Sequence, residues 1–246
     1  ASALDEDQIR SIAEGNTDLY PAKREIIQPS LDEDLIGYWP FDESAGTTAH
    51  NLVQGGTDAQ LFNGVEWVVD PERGMVLSFD GEDAYADAGS ETIPQMTQDN
   101  DFTWSVWTYQ RSGGCCEVIL GNRYSPAGGD FSPREFIKFT PERFEFHRGG
   151  GGSDLHPGSI EMEEWVHNVV VKEGNNLTYY RNGEERESRT FDGELNNPQP
   201  LYFGGDQVEE NWNGMLDDVA IWERALDADE IFKVYEDGLG FGDGDG

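Results

Sequence analysis

Positive charge is scarce in this chain. Sixteen Lys and Arg stand against fifty Asp and Glu in 246 residues, a formal net charge of −34. Nucleic acid is thereby excluded as a partner, because phosphate recognition needs a basic face. An anionic membrane surface would repel the chain as well. Long apolar runs are missing too, so no membrane-spanning helix and no membrane insertion are expected. The first fifteen residues are acidic and polar, without a signal-peptide pattern, and the opening "AS" fits a processed terminus or a cut segment.

Cysteine is nearly absent. The two present, Cys115 and Cys116, are adjacent in "RSGGCCEVILG". They lie closer than the usual disulfide span, so three outcomes stay open: a strained ring, bonds to other chains, or reduced thiols. No second cysteine pair supports zinc. Catalytic signatures are missing as well: there is no HExxH, no GxSxG and no P-loop. Sugar hydrolysis needs two carboxylates at a fixed separation. The nearest cue, "EMEEWVH" at 161–167, reads as a turn entering a strand. His50, His147, His156 and His167 are scattered. The chain is expected to be non-catalytic.

What is present is aromatic and evenly punctuated. Hydrophobic residues make up 36% and aromatics 12%, too much for a disordered chain. From Leu35 onward short apolar stretches follow one another: "LIGYW", "MVLSFDG", "FTWSVWTYQ", "EFIKFT", "RFEFHRG", "WVHNVVVKEG", "LTYYRNGE", "PLYFGGD" and "LDDVAIWER". Turn pairs separate them, at Asp80-Gly81, Asn182-Gly183 and Gly204-Gly205. Many short strands at this spacing predict an all-β fold, a two-sheet antiparallel jelly-roll sandwich. Trp39, Phe41, Phe79, Trp104 and Trp107 are expected to fill the space between the sheets. A closing helix is expected over 227–236, with Asp227 as N-cap and Glu230 completing a capping box.

The two ends resemble each other. "ALDEDQIRSIAEG" at 3–15 is nearly repeated as "ALDADEIFKVYEDG" at 225–238. Residues 3–14 therefore read as a short N-terminal helix, with Leu4, Ile9 and Ile12 on one face. An extended arm with Pro21 and Pro29 follows to residue 34. The organisation expected is helix and arm over 1–34, a domain over 35–238, and a Gly/Asp-rich tail over 239–246. The repeated text suggests self-association or neighbouring repeats, with Leu4, Ile9 and Ile12 as the assembly face.

The segments "LIGYWPFDESAGTTAHNLVQGGTDAQLFNGVEWV", "VLSFDGEDAYADAG", "FTWSVWTYQ", "WVHNVVVKEGNNLTYYRNGE", "LYFGGD" and "WNGMLDDVAIWERALDADEI", in this order, resemble the concanavalin A-like, laminin-G-like domains of bacterial, pentraxin-like type. The resemblance covers Leu35 to about Gly238. It implies two packed antiparallel sheets, extracellular or cell-surface placement, and a calcium site at a loop rim. In pentraxin-like relatives the loop matching 204–214 carries calcium ligands. Asp206, Gln207 and Glu209 are the candidates here, with Glu210 and Asn211 beside them and Asn122 and Asp130 from the facing loop. The turn holding Asp80, Asp83 and Asp87 is a second calcium candidate.

The long loop "GNRYSPAGGDFSP" offers Tyr124 and Phe131 to stack on a sugar, with Arg123 and Arg134 to bond its hydroxyls. Asn176 in "NNLT" is a glycosylation sequon. The role expected is a non-catalytic extracellular structural subunit or repeat of a surface assembly or filament, stabilised by calcium. The alternative is a calcium-dependent carbohydrate-binding or adhesion module of a larger surface protein.

Overall fold

The computed structural model describes residues 30–89, 100–123, 136–148, 151–152, 154–191, 200–207 and 210–239. The helix expected at 3–14, with Leu4, Ile9 and Ile12, lies outside the described residues, as do the arm up to residue 29 and the tail from residue 240. Two units divide the chain, Ala1–Glu33 and Asp34–Gly246. Of the first, residues 30–33 are described, a turn in which the Glu33 N–H donates to the Ser30 carbonyl at 2.9 Å.

The second unit is two antiparallel sheets, with strands numbered along the chain. Sheet A runs, in hydrogen-bonding order, β14 (Glu184–Thr190), β13 (Asn176–Arg181), β12 (Trp165–Glu173), β7 (Phe102–Ser112), β16 (Asn213–Trp222), β5 (Gly74–Asp80) and β4 (Glu66–Asp70). β1 (Leu35–Trp39) lies beside the second half of β16. Sheet B runs β11 (Gly151–Gly152), β10 (Phe144–Arg148), β9 (Phe136–Phe139), β8 (Leu120–Gly121), β15 (Tyr202–Phe203), β6 (Tyr85–Asp87), β3 (Ala59–Phe62) and β2 (Thr48–Ala49). The jelly-roll expectation is met.

Alternation along each strand builds the core. Successive side chains point to opposite faces. On sheet A, Phe102, Trp104, Val106, Val166, Val170, Leu216 and Val219 face inward; on sheet B, Leu120, Ile137, Phe139, Phe144, Phe146 and Phe203 meet them. Each such buried side chain contributes roughly 1.5–3 kcal/mol relative to exposure. Four of the five expected core aromatics, Trp39, Phe41, Phe79 and Trp104, lie there. Trp107 does not. It stands three residues from Trp104 on one strand, and an odd spacing puts it on the opposite face.

Trp107 instead belongs to the outer face of sheet A, which the closing helix covers. That helix, α1 (Ala228–Asp237), carries the expected capping box: the Asp227 side chain accepts from the Glu230 N–H, and the Glu230 side chain accepts from the Asp227 N–H. Its Tyr235 stacks on Trp107 and His167, with centroids 5.6 and 6.0 Å away. The expected hairpin joins β13 to β14, with φ of 51° at Asn182 and 76° at Gly183. Positive φ at both turn residues is what a type I′ hairpin requires.

A bulge in β16 completes this face. The strand pairs with β5 through Leu216 and with β1 from Val219, and its register against β7 shifts between Asp217 and Ala220. Asp218 sits in the bulge at φ 47°. Both carboxylates thereby reach Arg73, whose Nε donates to Asp217 at 2.5 Å and whose Nη2 donates to Asp218 at 2.7 Å. The guanidinium lies 4.1 Å from the Trp107 ring centroid. Burial and the neighbouring Asp218 push Asp217 up to about 8, against the pull of Arg73. Burial, with Arg73 nearby, pushes His167 down to about 3, so its imidazole is neutral.

Candidate functional site

The outer face of sheet B is built differently. The inward residues of β9 and β10 are Ile137, Phe139, Phe144 and Phe146, so their alternates Phe136, Lys138, Glu145 and His147 point out. Lys138 is paired with Gly121, Gly121 with Tyr202, Tyr202 with Asp87, and Asp87 with Gln60, one row across five strands. Gly121 is required in that row. A Cβ there would lie 2.4 Å from the Lys138 Cβ.

One half of this face is an ion network. The Lys138 Nζ donates to the Glu210 carboxylate at 2.5 Å and to the Cys116 carbonyl at 2.7 Å, and lies 3.5 Å from Glu145. Arg123 pairs with Asp206 through Nη1 and with Glu210 through Nη2 at 3.1 Å. On the far side the Arg143 Nε donates to Glu145 at 2.9 Å, and the His147 Nε2 lies 3.1 Å from Asp154. The chain of charges runs Asp206, Arg123, Glu210, Lys138, Glu145, Arg143, Asp154, His147.

Burial makes these pairs consequential. Lys138 and Asp206 are each 1% exposed and Arg123 is 4% exposed, and charges so far from water persist only when paired. Burial pushes the Glu210 carboxyl up, while Lys138 and Arg123 pull it down. Asp154 is also half-buried, but the neighbouring His147 and Arg143 hold it below the usual carboxylate range.

The other half is aromatic. Phe62 and Tyr85 stack at 4.9 Å with an interplanar angle of 15°, and Tyr85 meets Tyr202 edge-on at 6.0 Å. Phe62 is 40% exposed, beside the polar Gln60 and Asp87.

The two faces bear directly on the residues singled out in the sequence. Arg123 and Asp206 come together, but as a buried pair. The Arg123 guanidinium therefore does not face a sugar, and it stands where calcium was expected. Asn122 is buried and its Oδ1 accepts the Ile137 N–H at 2.7 Å. Gln207 is exposed. Among the described residues of this loop, the oxygens of Asp206 and Asn122 are spent on an arginine and a backbone amide. At the second candidate, Asp80 accepts the Glu82 N–H at 2.8 Å and Asp87 the Gly89 N–H at 2.8 Å, so both brace turns. Among the described residues, no three His, Cys, Asp or Glu side chains are placed to hold a metal. Tyr124, Phe131, Arg134, Asp130 and Glu209 lie outside the described residues.

Cys115 and Cys116 are bonded to each other. Asn176 opens β13 with its side chain exposed, and Thr178 of the sequon meets Ser188 across the pair at 3.1 Å. Sequence reasoning passed over Lys138 and Glu145 and read His147 as one of four scattered histidines. The signal was available: in "EFIKFT" and "RFEFHRG" the charged residues alternate with apolar ones, marking an outward face.

A family model described as the concanavalin A-like lectin/glucanases superfamily, in its laminin-G form, matches residues 80–232. No protein of curated function matches the chain by sequence. Among solved structures, domain 4 of AbnA, an extracellular GH43 arabinanase from Geobacillus stearothermophilus in complex with arabinotriose, is similar. It superposes with a TM-score of 0.67 at 13% identity, over 82% of this chain and 98% of that one. The binding domain of Paraclostridial Mosquitocidal Protein 1 gives 0.64 at 18% identity, over 82% of this chain and 52% of that one. Trypanosoma rangeli sialidase in complex with sialic acid gives 0.61 at 18% identity, over 86% of this chain and 34% of that one. At such identities the likeness is one of fold. The family match spans more than half of the sequence, and on that ground the chain belongs to the concanavalin A-like lectin/glucanases superfamily.

Proposed function

We propose that this chain is a non-catalytic carbohydrate-binding module that works outside the cell, with the outer face of sheet B as its glycan surface. The observation that carries this reading is the Phe62–Tyr85 stack. A phenylalanine left 40% exposed, flat on a second ring and bordered by Gln60 and Asp87, offers an apolar platform with polar neighbours. That is the chemistry a pyranose or furanose ring needs: its C–H face packs on an aromatic and its hydroxyls bond at the edge. The arabinotriose held by the arabinanase domain supports the reading by analogy of fold.

The charge narrows the ligand. A chain at −34 repels uronate and sulfate groups, so the ligand is a neutral or cationic glycan. Glu145 and Glu210 face the same Lys138. Carboxylates tied to one ammonium are poised for binding rather than for proton transfer to a leaving group. The vicinal disulfide fits an oxidising, extracellular setting.

The test is binding of neutral arabino-, xylo- and gluco-oligosaccharides, against polygalacturonate, by calorimetry with and without chelator. Neutral oligosaccharide should bind, the chelator should change nothing, and Phe62→Ala should weaken the binding. Full retention of affinity in Phe62→Ala, or binding of polygalacturonate alone, overturns the reading.

A further inference from the structure

The vicinal cysteine pair is joined to the ion network by two contacts and braced by Glu117, and together these define a direction of chemistry. The Cys116 carbonyl caps the buried Lys138 Nζ at 2.7 Å. The Arg143 Nη2 lies 3.9 Å from the Cys116 Sγ. Glu117 spends its carboxylate on the ring's own backbone, accepting from the Gly114 N–H at 2.7 Å and the Cys116 N–H at 3.2 Å. The two sulfurs are not equivalent: Cys115 is exposed and Cys116 is half-buried against the cluster.

We propose that Cys115–Cys116 is a thiol–disulfide exchange site, opened by small extracellular thiols, in which Cys115 is the attacked sulfur and Cys116 the leaving thiolate. Exchange goes by thiolate attack on one sulfur, and the better leaving group is the sulfur whose thiolate is more stable. A guanidinium beside a sulfur stabilises its thiolate. Among the described residues, only Cys116 has one. The incoming thiolate forms a bond to the Cys115 Sγ, the S–S bond breaks, and its electron pair leaves on the Cys116 Sγ beside Arg143. A second thiol then attacks the small thiol's sulfur in the mixed disulfide. That step releases the Cys115 thiolate and the reductant as its own disulfide. Two electrons, and two protons on protonation, have passed to the pair. Ring opening frees the Cys115–Cys116 peptide, and the Cys116 carbonyl that follows it caps Lys138, so the same event loosens the middle of the ion network on sheet B.

The full chain is treated with limiting 2-mercaptoethanol, alkylated with iodoacetamide and mapped by mass spectrometry. The mercaptoethanol adduct should lie on Cys115 and the carbamidomethyl group on Cys116. The reverse pattern, or equal labelling, overturns the proposal. Arg143→Gln should slow ring opening about three- to tenfold, by raising the basicity of the leaving thiolate; an unchanged rate overturns it. Because Arg143 also pairs with Glu145, a second variant guards against misfolding. Glu145→Gln releases Arg143 toward the sulfur and should speed opening, and an unchanged or slower rate counts against the proposal.

Discussion

The outer faces of the two sheets follow the same alternation and meet opposite fates. On sheet A the outward residues Trp107 and His167 are closed over by Tyr235 of α1, and Arg73 is clamped by Asp217 and Asp218. On sheet B among the described residues no helix covers the face, and the outward residues neutralise one another laterally along the network from Asp206 to His147. One face is satisfied by a lid and the other by its own neighbours. A face satisfied laterally keeps its aromatic edge at Phe62 available for a ligand, whereas a lidded face does not.

The largest effect that separates the two faces should come from Lys138→Met. Removing the shared cation leaves Glu145 and Glu210 under-paired in a buried setting, and breaking such a cluster costs about 3–5 kcal/mol. Urea unfolding would show it as a lower midpoint; a change within error would mean the network contributes little to stability.

Next comes the lid. Ile231 is fully buried on α1, and Ile231→Ala should cost about 2–5 kcal/mol, the range for emptying a packed aliphatic site. Glycan binding per folded molecule should be untouched, because the lid lies on the other sheet. A loss of binding by the folded variant would break the separation of the faces.

The pH profile gives a smaller effect of known sign. Asp217 is raised in the folded state, so its contribution is fully present below the ordinary carboxylate range and is lost as pH rises toward about 8. His167 is lowered to about 3, so its contribution is present above pH ~6.5 and is lost as pH falls toward 3. The two slopes oppose each other in mildly acidic solution. Above neutrality Asp217 is left to act without His167, and Tm should fall between pH 6.5 and 8. Asp217→Asn should flatten that fall; an unaltered slope would assign it to other groups.

Smallest in stability, and sharpest for function, is Phe62→Ala. The ring is already 40% exposed, so unfolding should shift by no more than about 1 kcal/mol. Loss of the stacking platform should weaken sugar binding about two- to tenfold, the scale of an aromatic contact.

The fold was legible because strand text is local. "FTWSVWTYQ" alternates, "YYRNGEE" carries its own turn at Asn182-Gly183, and "LDADE" carries its own cap at Asp227. Each of these features is decided by neighbours in the chain. The site was less legible because its members come from distant strands. Arg123 meets Asp206 across 83 positions and Lys138 meets Glu210 across 72. No periodicity links such pairs. The acidic loop at 204–214 reads as a metal loop because its carboxylates are visible in sequence, whereas the arginine and lysine that pair with Asp206 and Glu210 are not adjacent to it.

By itself the sequence determined the sandwich, the closing helix with its capping box, the strongly acidic charge, and the adjacency of the two cysteines. These follow from composition and from side-chain period, which need no knowledge of what lies across the fold. Only the tertiary structure decided which face each outward residue served. It turned Trp107 away from the core and spent Asp206 on Arg123. It also set Cys116 rather than Cys115 against Arg143. The physical reason is burial: a charge or a ring in a strand has no fixed role until the fold removes water from it and supplies the partner that takes water's place.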